Sequence, residues 1–119
     1  MENPPPGAPL SIESETLADG AIRLALVGEL DLATLPMLDQ ELDKASAWDK
    51  RVILDLRRLQ FIDSSGLHAV LRVDRRLQEA GGSLTIIRGP RPVARLFNLT
   101  GLDTRLHIID PDEPDPVSA

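Results

Sequence analysis

The chain has 119 residues, of which 42% are apolar and only 3% aromatic, which suits one domain with an aliphatic core. Its formal net charge of −6 would repel a phosphate backbone, and single-stranded nucleic-acid binders need aromatic stacking platforms, so we expect no direct binding to nucleic acid. The absence of cysteine excludes disulfides and thiolate chemistry, and two histidines far apart, His68 and His107, predict neither a metal nor a cofactor.

The first 30 residues predict a loose N-terminus followed by a β-hairpin. Residues 1–9 are rich in proline and lack a signal peptide, and no part of the chain has the apolar length of a membrane span. We therefore expect a cytoplasmic protein without membrane insertion. Residues 10–17 predict a strand, Asp19-Gly20 a tight turn, and residues 21–27 the returning strand. Because both faces of the returning strand are mostly apolar, we expect cover on both sides.

Helices and strands alternate in the rest of the chain. Apolar residues at helical spacing predict the helices, and short apolar runs predict buried strands. The predicted order is helix 35–48, strand 51–56, helix 64–80, strand 83–87, helix 93–99 and edge strand 106–109. Gly81-Gly82 and Gly101 are placed to end the second and third helices. The acidic segment 110–119 is expected to be a disordered tail.

This order predicts an α/β domain over residues 10–109. Its sheet is mixed, antiparallel in the first hairpin and parallel beyond it, with helices covering it. Loops that leave the carboxyl ends of strands collect at one edge of such a sheet, where binding sites gather. Residues 28–34 and 57–65 form two loops of this kind.

The segment Asp63-Ser64-Ser65-Gly66 supplies three candidate helix caps where one suffices. Capping alone accounts for many serine-rich helix starts. Gly66, however, costs roughly 1 kcal/mol relative to alanine in a helix, which indicates that something approaches it closely. The functional alternative is phosphorylation of a serine hydroxyl, because a helix N-terminus accommodates a phosphate of roughly −1.5 to −2 charge. Asp63, and Asp31 on the first loop, would oppose that charge, so a docked partner would be repelled while the fold stays intact.

A serine hydrolase is another interpretation, since Ser64 and His68 lie four residues apart on one helix face. Against it, the Gly-x-Ser-x-Gly nucleophile motif is absent, and His68 belongs to an exposed arginine-rich stripe without an obvious orienting acid. We therefore expect a binding protein without catalytic residues.

Three segments together carry a family resemblance. They are Gly28-Glu29-Leu30-Asp31, Phe61-Ile62-Asp63-Ser64-Ser65-Gly66-Leu67 and Arg95-Leu96-Phe97-Asn98-Leu99-Thr100-Gly101-Leu102. Their order over residues 10–109 resembles the STAS-domain anti-sigma factor antagonists, and the Asp-Ser-Ser-Gly segment is the most specific of the three. The resemblance implies a STAS-like mixed sheet covered by about four helices.

The resemblance also implies a bacterial partner-switching function. The unmodified antagonist of this family binds an anti-sigma factor, which is also a serine kinase with an ATP-binding fold, and this frees a sigma factor for transcription. Phosphorylation of the serine after the motif aspartate breaks the complex, and a serine phosphatase restores it. Carried onto this chain, the phosphoacceptor is Ser64, and the residues of the partner-binding surface are Asp31, Asp63, Ser65 and Gly66.

The resemblance leaves a second function open, that of an accessory subunit in a lipid-transport complex or a small-ligand sensing module. The intact acceptor serine favours the antagonist. His68 stands where the family often has a small or apolar residue, so the partner contacts there are expected to differ. The sequence is compatible with a monomer or a weak dimer.

Overall fold

A five-stranded sheet organises the structure, a computed structural model that describes residues 9–48 and 51–112. The elements in chain order are β1 (Ser11–Thr16), β2 (Ile22–Leu30), α1 (Leu35–Trp48), β3 (Arg51–Ile62), α2 (Ser64–Glu79), β4 (Ser83–Ile87), α3 (Arg91–Leu99), a 3-10 turn (Leu102–Thr104) and β5 (Ile108–Ile109). The predictions for the N-terminal segment and for the acidic tail concern residues outside the described part, apart from residue 9 and residues 110–112.

The strands lie in the order β1-β2-β3-β4-β5, and β1 is antiparallel to β2 while all later neighbours are parallel. This confirms the predicted mixed sheet. The predicted number of about four helices is wrong, because the described residues form three α-helices. Gly101 adopts a left-handed conformation (φ +76°) after α3, and a single 3-10 turn follows it before β5.

One face of the sheet carries the main core and packs against the helices. The core contains buried aliphatic and aromatic side chains from both the strands and the helices, among them Leu24, Leu26, Leu38, Leu54, Leu56, Val70, Ile86 and Phe97. The alternation along β2 turns Arg23 and Ala25 to the other face, where both are half-buried. The expectation that β2 is covered on both sides is therefore wrong at mid-strand, because Arg23 there lines an open polar groove and pairs with Asp55 of β3 at 3.5 Å.

β2 and β3 are both longer than their apolar patterns predict, because their parallel pairing continues across two irregularities in register, between Ala25 and Val27 and between Gly28 and Glu29. Gly28 has a positive φ of 113°, and a Cβ there would lie 2.6 Å from the carbonyl oxygen of Pro9. Much of the two predicted loops is consequently strand, and only residues 31–34 and 63 connect the strand ends to α1 and α2.

Asp55 is the one buried acidic side chain among the described residues, at 5% exposure. Arg57 donates to its carboxylate from Nη2 at 2.6 Å, from Nε at 2.9 Å and from the backbone amide at 3.0 Å. Burial alone would raise the pKa of Asp55, but the hydrogen bonds and charge of Arg57, with the charge of Arg23, outweigh it and hold the pKa below its ordinary value. The ionised carboxylate thus stabilises the folded state.

We expect Asp55→Asn to lower the free energy of unfolding at pH 7 by about 1.5–3 kcal/mol, the usual contribution of hydrogen bonds to charged groups. Because the folded-state pKa is depressed, this contribution is complete above the unfolded pKa of about 3.9 and is lost as the pH falls through the folded value. Urea unfolding of both proteins at pH 7 and at about pH 3 should show the difference shrinking in acid.

Glu41→Gln is the control, since it removes a helix-surface pair with Lys44 and should change stability by less than about 0.5 kcal/mol. A difference between wild type and Asp55→Asn that stayed constant down to acid pH would contradict the role assigned to this carboxylate.

Candidate functional site

The candidate site is built where β2 and β3 end side by side. Leu30 pairs with Ile62, and the amide of Asp63 donates to the carbonyl of Leu30 at 3.2 Å. Neighbouring strands in a sheet are about 4.8 Å apart, so Asp31 and Asp63, which directly follow the paired residues, start from adjacent positions. The two sequence-predicted loops do meet at the carboxyl edge of the sheet.

Asp63 is the N-cap of α2. Its backbone is extended (φ −107°, ψ −176°), its Oδ1 accepts from the amide of Gly66 at 3.0 Å, and its carbonyl accepts from the amide of Leu67 at 3.0 Å. These bonds satisfy amides that would otherwise have no partner in the first turn. Of the three candidate caps in the sequence, Asp63 has this role, so capping does not account for the two serines that follow.

Ser64 is the first residue of α2, and its side chain is exposed. Within the part of the chain that the structure describes, its hydroxyl makes no hydrogen bond, and the same is true of the half-buried Ser65. The Ser64 hydroxyl is therefore accessible to a second protein, and the helix does not need it as a cap.

Gly66 is buried, and the close approach that the sequence predicts for it comes from within the molecule. A Cβ at this position would lie 2.8 Å from Cγ1 of Ile62 and 2.9 Å from the carbonyl oxygen of Leu30. The absence of a side chain lets α2 start directly against the ends of β2 and β3. The partner contact predicted for Gly66 stays a prediction, and its internal contacts give it a role in positioning Ser64.

We expect Gly66→Ala to destabilise the fold by up to about 2 kcal/mol. Overpacking costs about 1–3 kcal/mol, of which helix propensity returns at most about 1 kcal/mol. Urea unfolding measures the change, and Ser65→Ala in the same turn is the control, with a change below about 0.5 kcal/mol. If Gly66→Ala were more stable than wild type, helix propensity alone would govern the position, and the tight contact with β2 would be wrong.

Asp31 begins the turn into α1 and is held by reciprocal bonds with Thr34. Its Oδ1 accepts from the amide of Thr34 at 3.1 Å, and its own amide donates to Oγ1 of Thr34 at 3.0 Å. That hydroxyl also donates to the carbonyl of Glu29 at 2.9 Å. Asp31 thus has an ordinary capping role, and the same bonds fix its half-buried carboxylate at the edge where Ser64 lies.

Two exposed apolar side chains flank this edge, and neither was predicted as a site residue from the sequence. Phe61, near the end of β3, is 47% exposed, and Leu32, directly after Asp31, is 71% exposed. Large exposed apolar side chains beside polar groups are typical of a protein contact surface. The available sequence signal was weak, because Phe61 is merely one of two phenylalanines, and its exposure depends on β3 extending to Ile62.

Beyond Ser64, α2 carries the predicted exposed stripe of His68, Arg72, Arg75, Arg76 and Glu79. Arg76 reaches across to Asp43 of α1 at 2.7 Å. No group of three or more histidine or acidic side chains is placed to hold a metal ion in residues 9–48 and 51–112. In the same ranges, no helix combines the length and the apolar character needed to cross a membrane.

Comparison with known proteins decides the family. A family model described as "Mlab, STAS domain" matches residues 14–110. The chain is 33% identical over 93 residues to an anti-sigma F factor antagonist of Paenibacillus polymyxa, which covers 76% of this chain and 80% of that protein. The chain belongs to the STAS family of anti-sigma factor antagonists. It is also 29% identical over 100 residues to the anti-sigma-B factor antagonist of Staphylococcus aureus, with coverage of 83% and 92%.

Solved structures of STAS-family antagonists share this fold. The anti-sigma factor antagonist SpoIIAA in its unphosphorylated form superposes with a TM-score of 0.73 at 25% identity, covering 87% of this chain and 90% of that one. An antagonist from Mycobacterium paratuberculosis gives a TM-score of 0.75 at 23% identity, covering 98% of this chain and 94% of that one. The second likeness shows the fold alone.

Proposed function

We propose that this STAS-family protein is an anti-sigma factor antagonist whose partner-binding surface is switched by phosphorylation of Ser64. The unmodified protein binds an anti-sigma factor, which is also a serine kinase with an ATP-binding fold, and so releases a sigma factor in the cytoplasm. A serine phosphatase restores the unmodified form. One observation carries this function: Asp63 caps α2, which leaves the Ser64 hydroxyl exposed and unused by the fold.

The named relatives support the same role. Two of them are anti-sigma factor antagonists. The structure of SpoIIAA is of its unphosphorylated form, which indicates that SpoIIAA itself can be phosphorylated. The Asp-Ser-Ser-Gly segment is the part of this chain where such a modification fits the geometry.

The chemistry of the switch follows from the helix start. The kinase transfers the γ-phosphoryl group of ATP to Ser64 Oγ, which loses its proton, and ADP leaves; the phosphatase hydrolyses the ester to serine and inorganic phosphate. The first-turn amides and the helix dipole accommodate the added charge, so α2 stays folded. Asp31 and Asp63 do not neutralise it. A partner that docks on this edge must therefore desolvate a phosphate beside two carboxylates.

The partner-binding surface that we propose consists of Asp31, Asp63, Ser65 and Gly66, as the family resemblance implies, together with the exposed Phe61 and Leu32. Apolar side chains at the centre of an interface with polar groups at its rim are the usual composition of a protein contact.

A hydrolytic role is not part of the proposal. Ser64 and His68 are both exposed, and neither side chain makes a hydrogen bond within the described residues, which favours a kinase substrate over a serine nucleophile activated by a histidine base. We propose a binding protein that acts as the substrate of a kinase.

The test uses the full chain with its cognate anti-sigma factor, ATP and Mg²⁺. Mass spectrometry should locate one phosphate on Ser64, and calorimetry should show that the unmodified protein binds while the phosphorylated protein does not. Ser64→Ala should bind without accepting phosphate. Phosphate on another residue, equal binding by both forms, or co-purification with subunits of a transport complex instead of a kinase would overturn the proposal.

A further inference from the structure

A cleft of about 340 Å³ lies between α3 and the end of the sheet formed by β4 and β5. Its size falls in the range of small-ligand sites. The residues on its floor are apolar, and those on its rim are mostly basic. The floor is formed by Leu56, Ile86, Phe97 and Ile108, and the rim by Arg88, Arg91, Arg95, Asn98 and Asp103.

The cleft exists because β3 extends beyond its neighbour β4. β4 pairs only with residues 51–55 of β3, so Leu56 lies past the last paired position. The chain leaving β4 turns at Gly89, where a Cβ would lie 2.7 Å from the carbonyl oxygen of Leu56 and 3.2 Å from Cγ1 of Val93. This close contact holds the start of α3 against β3, and the open space remains along the arginine-bearing side of the helix.

The charges on the rim are only partly compensated. Arg88 pairs with Asp110 at 2.6 Å, and the side-chain amide of Asn98 donates to Asp103 at 2.9 Å. Arg91 and Arg95 are exposed and have no ion pair or hydrogen bond to any residue that the structure describes.

Arg91 and Arg95 are also one turn apart on α3, a spacing at which two like charges destabilise a helix. The whole chain carries a net charge of −6. The positive charge of two uncompensated guanidinium groups beside an apolar floor is therefore opposite in sign to the net charge of the protein. An anion held between the two arginines would relieve their repulsion.

We propose that this cleft binds a small organic anion, with its carboxylate or phosphate head between Arg91 and Arg95 and its apolar body on the floor formed by Leu56, Phe97 and Ile108. A guanidinium fork binds planar oxyanions through paired, charge-assisted hydrogen bonds. The floor adds the burial of the apolar body. This site uses no residue of the Ser64 surface and is independent of the proposed switch.

The first test is an NMR titration of the full ¹⁵N-labelled chain with octanoate. We expect saturable shifts of the amides over residues 88–98. Octanol, which lacks the charge, and acetate, which lacks the apolar body, should each bind at least about tenfold more weakly, because each omits one of the two recognition elements. Titration with octyl phosphate shows whether a phosphate or a carboxylate head is preferred. Saturable shifts of these amides with either anion support the site. If neither anion binds there, the site is overturned.

The second test removes each element of the cleft in turn. Arg91→Gln combined with Arg95→Gln should weaken octanoate binding at least about tenfold, and Ala94→Leu should do so by filling the cleft that Ala94 lines. Arg72→Gln combined with Arg75→Gln removes the same charge from α2 and should leave the affinity unchanged. The inference is overturned if octanoate binds the Arg91/Arg95 variant as tightly as wild type, if octanol equals octanoate, or if the shifts map elsewhere.

Discussion

Ser64→Asp should weaken binding to the anti-sigma factor by about 3 kcal/mol or more, which is at least roughly 100-fold in Kd. A permanent carboxylate at this exposed position joins the half-buried carboxylates of Asp31 and Asp63 at the same edge of the sheet. A docked partner would have to desolvate all three without a compensating cation. Isothermal titration calorimetry of the two purified proteins measures the loss.

The variant is expected to fold normally, with a free energy of unfolding within about 0.5 kcal/mol of wild type. A carboxylate in the first turn interacts favourably with the helix dipole, which offsets the repulsion from Asp63. Urea unfolding therefore separates lost binding from lost structure.

The matched control is Ser83→Asp, which places the same charge on an exposed serine at the start of β4. Ser83 pairs with Arg51 at the amino end of β3, the opposite edge of the sheet from Ser64. Ser83→Asp and Ser64→Ala should both bind like wild type. Equal affinities for Ser64→Asp and Ser83→Asp would show that local charge at the start of α2 does not control the complex.

The order of strands and helices could be predicted from the sequence because each element's pattern reflects its own burial. The apolar and basic stripes of α2 are an example, since His68 and Arg72 are exposed while Val70 and Leu77 are buried. The ends of β2 and β3 could not be predicted in this way. Their pairing past Ala25 depends on register irregularities and on the contact between Gly28 and Pro9, which are remote from any local pattern.

The meeting of residues 28–34 and 57–65 at one edge of the sheet could be predicted, but the structural role of each residue there could not. Composition alone makes Asp63, Ser64 and Ser65 equivalent caps, and only the backbone geometry gives the role to Asp63. The same applies to Gly66, where the sequence indicated a close approach without identifying Leu30 and β2 as its source.

The cleft beside α3 could not be predicted from the sequence, because it depends on the tertiary fold. Leu56, Arg91 and Ile108 are far apart in the chain, and each has an ordinary structural explanation in the sequence. They line one cavity only because β3 continues beyond its last residue paired with β4, and α3 packs against this unpaired part of β3.

Phe61→Ala should weaken the complex with the anti-sigma factor by about 2 kcal/mol or more, roughly 30-fold in Kd, the effect typical of an aromatic anchor at the centre of an interface. Phe61 lies two residues before the Asp63 cap, and its side chain is 47% exposed, so the fold itself buries only part of it. Calorimetric titration of the variant against the anti-sigma factor measures the effect.

Leu99→Ala is the matched control, because Leu99 is a 67% exposed apolar residue on α3, away from the ends of β2 and β3. It should leave binding unchanged. A double-mutant cycle with Ser64→Asp should be non-additive, since both residues would contact the same docked surface. If Phe61→Ala bound within about twofold of wild type, the end of β3 would lie outside the interface, and charge at Ser64 would have to act on a partner docked on another face.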